Sequence, residues 1–157
     1  MKKIGLLTAL LLFTAYSLSA QSLNNKINSI GIRISNGAEV SYQRYISSNN
    51  RIEANLGLGT YGIDATGIYQ WVNHLKMIEG GQFRWYAGAG VNTGAWTNKS
   101  TKYDTGFSLG VLGQIGSEFE FKKIPLVISL DYRPTLYISP STKFNWGNVG
   151  LSASYLF

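Results

Sequence analysis

The sequence predicts an all-β chain: eight antiparallel strands closed into an up-and-down barrel that crosses a membrane. Three observations lead there. From Gln21 onward, apolar and polar residues alternate with a period of two in eight segments bounded by turn residues, and no run keeps a helical period. The polar face of those segments holds glycine, serine and arginine but no lysine. Glycine is abundant at 18 and proline scarce at 3, a balance that suits tightly curved sheet.

The first twenty residues, MKKIGLLTALLLFTAYSLSA, place Lys2 and Lys3 before an apolar run from Ile4 to Phe13 and finish in small residues. This is the pattern of a cleaved secretory signal peptide, with the cut expected after Ala20. The run is too short for a membrane-spanning helix, which needs roughly 20 apolar residues. The remainder, 21–157, is the length of one domain. Losing the two leader lysines lowers the formal charge of +6 to +4, and no long basic run accompanies it, so no nucleic-acid partner is expected. The chain has no cysteine although export would bring it to an oxidising compartment, so the fold must close without disulfides.

The segments are expected at Asn28–Ser35, Ala38–Ile46, Arg51–Gly59, Thr66–Leu75, Gln82–Gly94, Thr105–Phe121, Leu126–Ile138 and Trp146–Phe157. In the first, Ile30, Ile32 and Ile34 oppose Gly31, Arg33 and Ser35. In the third, Ile52, Ala54, Leu56 and Leu58 oppose Glu53, Asn55 and Gly57. The fifth sets Phe83, Trp85, Ala87 and Val91 against Arg84, Tyr86 and Gly88. The sixth sets Leu109, Val111, Ile115 and Phe119 against Gln114, Gly116, Glu118 and Glu120. In the seventh, Ile128, Leu130 and Tyr132 oppose Ser129, Asp131 and Arg133. The second and fourth are blurred by Arg44, Gln70 and His74. Pro134 cannot donate to a ladder, so a local bulge is expected there.

The connections SSNN, EGGQ and KKIP are compact, whereas TYGIDA, AWTNKSTKYD and SPSTKFN are longer and more polar, and Asn36-Gly37 is a two-residue hairpin signal. Short turns at one end and longer loops at the other suit a membrane barrel. Exposed loops are expected around Tyr61–Ala65, Trp96–Asp104 and Ser139–Asn145.

Periodicity alone fits two architectures, because the apolar face is either the core of a soluble barrel or the lipid-facing belt of a membrane barrel. A water-facing strand would carry lysine, yet the lysines beyond the leader fall at segment ends or in connections. A crowded lumen instead favours small residues and the guanidinium fork. Apolar-face aromatics (Tyr69, Trp85, Phe107, Phe119, Phe121, Tyr155, Phe157) gather toward segment ends, as interfacial girdles do. The competing reading is an exported lipocalin-like barrel holding a small apolar ligand, which requires the Ile30, Ile32 and Ile34 face to point inward.

The last segment carries a resemblance. Val149, Leu151, Ala153, Tyr155 and Phe157 match the C-terminal β-signal of bacterial outer-membrane proteins, an alternating strand ending in an aromatic that the barrel-assembly machinery recognises. With the leader and the strand count, the chain resembles small outer-membrane barrels of the OmpX and OmpA-barrel type. The resemblance implies the outer membrane of a Gram-negative cell, contact with its lipid and lipopolysaccharide, and the assembly machinery as a partner in biogenesis. It implies no particular activity.

No catalytic, metal or cofactor residues are expected. Barrels of this size that deacylate lipid A use a His-x-Ser pair, but the single histidine, His74, is followed by Leu75 and Lys76. One histidine and no cysteine leave few ligands for a transition metal. The informative polar set is the inward charges Arg33, Glu39, Glu53, Arg84, Glu118, Glu120, Asp131 and Arg133. These must pair, because an isolated ion in low dielectric costs several kcal/mol. Arg84 is expected to reach Gln114 or Glu118, and Asp131 and Arg133 to face Arg33 across the lumen. The expected result is a monomeric, non-enzymatic barrel plugged by an ionic network, with a narrow ion path as the alternative function.

Overall fold

The computed structural model describes residues 27–59, 62–98 and 104–157. The expected leader over 1–20 and the loop residues Tyr61 and 99–103 lie outside the described residues.

Ten strands form one antiparallel sheet that closes on itself: β1 (Asn28–Ile34), β2 (Ala38–Tyr45), β3 (Asn50–Gly59), β4 (Gly62–Ile78), β5 (Gly81–Asn98), β6 (Asp104–Phe121), β7 (Leu126–Tyr132), β8 (Thr135–Ser139), β9 (Lys143–Asn145) and β10 (Val149–Leu156). Sequential neighbours pair from β1 to β6, β6 carries both β7 and β8 on its other edge, and β10 joins β7 to β1. Strands β7 and β8 are two halves of one stave, as are β9 and β10. The chain is therefore an all-β, closed, eight-stave up-and-down barrel. Following the rungs once around returns to β1 about ten residues from the start, so the staves tilt steeply and several layers of side chains fit inside.

The alternation resolves the inside from the outside. Ile32 is 57% exposed and Arg33 0%; Leu151 is 57% exposed and Ser152 6%. The isoleucine face of β1 points outward, which contradicts the inward orientation a lipocalin-like interior requires. Ile30, Leu56, Val91, Val111, Leu130 and Val149 continue the outward apolar surface around the barrel. Aromatics crowd the short-turn end of that surface, where the Phe119 and Phe121 rings meet edge to face at 4.9 Å and Tyr69 and Trp71 at 5.2 Å. Phe107 belongs to the opposite end, as does the Phe144–Trp146 pair, with ring centroids 3.9 Å apart.

Strands β4, β5 and β6 are 17, 18 and 18 residues long, more than the roughly 9–11 needed to span a bilayer. They consume much of the expected loops: Gly62–Ala65 pair within the β4 ladder, and β5 and β6 pair as far as Asn98↔Asp104. Lys143–Asn145 form β9 rather than loop. Polar residues such as Asp64 and Thr97 read as loop, but a hairpin satisfies their backbone groups as well as water does.

The blurred fourth segment has a physical cause. Its inward face holds the apolar pair Ile68 and Val72 alongside Gln70, and a register shift between His74 and Lys76 reverses its parity. His74 sits exposed at the short-turn end, its Nε2 3.2 Å from the Ser48 carbonyl.

Pro134 keeps the β6 register, with Ile115↔Tyr132 on one side and Leu112↔Thr135 on the other, and Gly113 N–H donates to the Pro134 carbonyl at 3.1 Å. The slip falls on the neighbouring stave, where Trp146, Gly147 and Asn148 lie between Asn145, opposite Thr135, and Val149, opposite Tyr132. The extra residue needed to pass the proline is thus carried by its partner.

Close approach fixes some glycines and not others. A Cβ at Gly31 would stand 2.4 Å from the Ala153 carbonyl oxygen, whereas one at Gly67 meets nothing within 4 Å. Gly31→Ala is expected to lower unfolding stability by about 1–3 kcal/mol in a denaturant titration of the refolded barrel, and Gly67→Ala to leave it within about 0.5 kcal/mol.

Candidate functional site

The barrel interior is the candidate site, and the β period builds it. Each stave presents every second residue to the lumen, so the rungs set which inward side chains meet. One rung aligns Arg33, Glu39, Gly57 and Asp64; another aligns Tyr86, Gly116, Asp131 and Gly150; a third aligns Tyr45, Arg51, Gln70, Gly88 and Gln114. Large and absent side chains alternate along them. A Cβ at Gly150 would fall 2.3 Å from Arg33 Cζ, and one at Gly116 would fall 2.5 Å from Tyr86 Cζ and 2.9 Å from Asp131 Cβ. The glycines on both sides of Asp131 leave the space that the guanidinium and the phenol ring fill.

The charges form a continuous ladder along the bore. At the loop end Arg33 Nη1 meets Glu39 at 2.7 Å, its Nη2 meets Asp131 at 2.8 Å, and it also donates to Asn148 at 3.0 Å. Arg133 Nε lies 3.1 Å from Asp131 and its Nη1 3.3 Å from Glu39, while Nη2 is paired with Glu53. Gln43 donates to Glu53 at 3.0 Å, and Gln70 donates to Glu53 and to Gln114, both at 2.6 Å. Below them Arg51 bonds Gln70 and pairs with Glu118 at 2.7 Å, its guanidinium 4.8 Å from the Tyr86 ring centroid. Arg84 closes the short-turn end, 2.7 Å from Glu118 and 2.6 Å from Glu120.

The structure brings together every inward charge expected from the sequence. Arg84 reaches Glu118 as expected. Arg33 and Asp131 also meet, although by reaching over Gly150 on the stave between them rather than across the lumen. Two members were missed. The sequence pattern makes Arg51 a strand start, yet it shares the parity of Glu53 and is 1% exposed. Asp64 falls in an expected loop, yet it stands opposite Gly57 on the uppermost of these rungs, where a Cβ at Gly57 would strike its Oδ1 at 2.3 Å.

Above Arg33 and Arg133 the lumen opens into a polar cavity of about 280 Å³, walled by Glu39, Asp64, Thr66, Asn92, Ser108 and Tyr137 among others. Among the described residues no group of three or more His, Cys, Asp or Glu side chains is placed to hold a metal ion. The residues resembling an assembly signal lie on β10 and just beyond it, with Val149, Leu151 and Tyr155 pointing outward at 56%, 57% and 43% exposure.

The fold has a solved counterpart. The fold is similar to the N-terminal β-barrel domain of Pseudomonas aeruginosa OprF. The match has a TM-score of 0.63 and covers 83% of this chain and 95% of the OprF domain, at 12% sequence identity. No family model matches the chain, and no curated protein matches it significantly.

Removing one partner from a sealed pair leaves an uncompensated buried charge. Asp131→Ala, which strips carboxylate from both Arg33 and Arg133, is expected to cost about 3–5 kcal/mol of unfolding free energy. Glu120→Ala is expected to cost less than about 1 kcal/mol, since that side chain is 30% exposed and its loss leaves Arg84 with Glu118. Equilibrium unfolding of the two variants in detergent checks the difference.

Proposed function

We propose that this chain is an integral outer-membrane protein of a Gram-negative cell, exported by the leader over 1–20, monomeric and without enzymatic activity. In this reading the apolar outer face anchors it in lipid, the ionic ladder plugs the lumen, and the loop end meets the cell's surroundings and lipopolysaccharide. One observation carries the reading: most of the large aliphatic side chains face outward while four of the five arginines and six of the eight acidic residues face the lumen. That is the inverse of a barrel dissolved in water. Lipid demands that all backbone polar groups pair within the sheet, and the closed ladder supports the reading by meeting that demand. The fold's likeness to an outer-membrane barrel domain adds support.

The short-turn end, where Asn28 and Phe157 exchange backbone hydrogen bonds at 3.1 and 2.8 Å, would face the periplasm. Val149, Leu151, Ala153, Tyr155 and Phe157 would serve as the signal read by the assembly machinery, presented on the stave that closes the barrel against β1.

Unboiled protein from the outer-membrane fraction is expected to run at a different position from boiled protein on a denaturing gel. Leu151→Arg is expected to reduce the unboiled, folded form, because a cation at mid-bilayer depth costs about 2–4 kcal/mol. Recovery of the protein in the periplasmic fraction without a heat-dependent shift would overturn the reading.

A further inference from the structure

Four of the five arginines belong to the lumen ladder, and Arg44 is the fifth. It is exposed on the outer face of β2, where it has neither ion pair nor side-chain hydrogen bond among the described residues. Its cross-strand neighbours are Asn28 on β1 and Ile52 on β3. Asn28 in turn exchanges backbone hydrogen bonds with Phe157 at the short-turn rim, so Arg44 lies at the level of that rim. A cation on an apolar outer face at this depth finds its partners among lipid headgroups and water.

A second observation at the same place is independent of charge. Beside Arg44 the outer face is hollowed into an apolar groove of about 500 Å³, lined by Tyr42, Ile52, Ala54, Gly67, Tyr69 and Val91 among others. Ala54 and Gly67 stand side by side on one rung with Tyr42 and Val91 at its ends, and Ile52 and Tyr69 form the next outward rung toward the short turns, the rung that holds Arg44. Packing within the barrel does not dictate the glycine: a Cβ at Gly67 meets nothing within 4 Å, whereas one at Gly90 would stand 2.2 Å from the Gly67 carbonyl oxygen. A glycine inside a strand weakens it and marks a place where something else approaches closely. Tyr42 links the groove to the cation, since its hydroxyl donates to Asn28 Oδ1 at 2.9 Å, opposite Arg44.

We propose that this groove binds one anionic glycerophospholipid from the leaflet at the short-turn end, with an acyl chain over Ala54 and Gly67 and the phosphate on the Arg44 guanidinium. The inference rests on the reading of the chain as an outer-membrane barrel. Charge and shape select the occupant together. The guanidinium fork matches a phosphate diester and calls for a negative headgroup, and the apolar walls call for hydrocarbon. A volume of about 500 Å³ is many times the share of one water, about 30 Å³ in the liquid, and takes a length of chain rather than a single side chain. A second outer groove of about 470 Å³, lined by Trp85, Ile115, Ser117, Leu130, Tyr132 and Val149 among others, has apolar outward neighbours such as Phe83, Phe119 and Leu151 and no cation beside it. It serves as an internal control.

The test is native mass spectrometry of the full barrel, refolded in a neutral detergent and titrated with phosphatidylglycerol or with phosphatidylcholine of the same acyl chains. One phosphatidylglycerol retained per barrel is expected, favoured over phosphatidylcholine by about fivefold. Arg44→Gln should abolish the preference, and Gly67→Leu, which fills the groove and leaves the charge in place, should abolish retention of the lipid. Ser117→Leu, which fills the control groove, should change neither. Gly67 and Ser117 both lie on the outer face, and the heat-dependent gel shift checks that each variant is folded. A folded barrel that retains neither lipid, retains both equally, keeps its behaviour in Arg44→Gln or in Gly67→Leu, or loses it equally in Ser117→Leu overturns the site and leaves the membrane reading standing. A chain that shows no heat-dependent shift in detergent overturns both.

Discussion

An arginine sealed inside eight staves has no bulk water to fall back on, and the rest of this molecule follows from that constraint. An unpaired ion there costs several kcal/mol, so each guanidinium needs a carboxylate at contact distance. Carboxylates two staves away are reachable only if the intervening residue has no side chain, which is why Gly150 lies under Arg33 and Gly116 under Tyr86. Filling the interior with polar groups also decides the exterior. With a period of two, most of the aliphatic and aromatic side chains fall on the opposite parity and point outward.

The ladder from Glu39 to Glu120 alternates in sign through Arg33, Asp131, Arg133, Glu53, Arg51, Glu118 and Arg84, with Gln70 linking Glu53 to Arg51. Such a network holds staves distant in sequence in one register, since Arg33 to Asp131 spans 98 residues and Arg133 to Glu53 spans 80. It supplies the cross-links that a chain without cysteine lacks. It also separates the two ends of the bore: a balanced, tightly packed lower half and an upper half that is open, polar and negative.

Alternation and the inward charges were legible in the sequence because both depend on parity alone. Arg51 was legible in principle, being two residues from Glu53, but a position beside a turn disguised it as a boundary. Asp64 was not, since a polar run carries no sign that hairpin pairing continues through it. In β4 the shift near Leu75 and the inward Ile68 and Val72 mixed two patterns in one segment. The slip beside Pro134 falls on a neighbour with no unusual residue of its own. Register and bulge placement depend on contacts between staves, and local composition carries little of that information.

The proposed contact of the aliphatic face with lipid is open to direct measurement, because the chain has no native cysteine. Single cysteines placed at Ile32, Leu56, Leu130 and Leu151 in turn, nitroxide-labelled and reconstituted in lipid vesicles, report collisions with oxygen and with a water-soluble nickel chelate. A lipid-facing surface gives high oxygen and low chelate accessibility at all four positions. High chelate accessibility at those positions in the folded protein would place the face in water and contradict it.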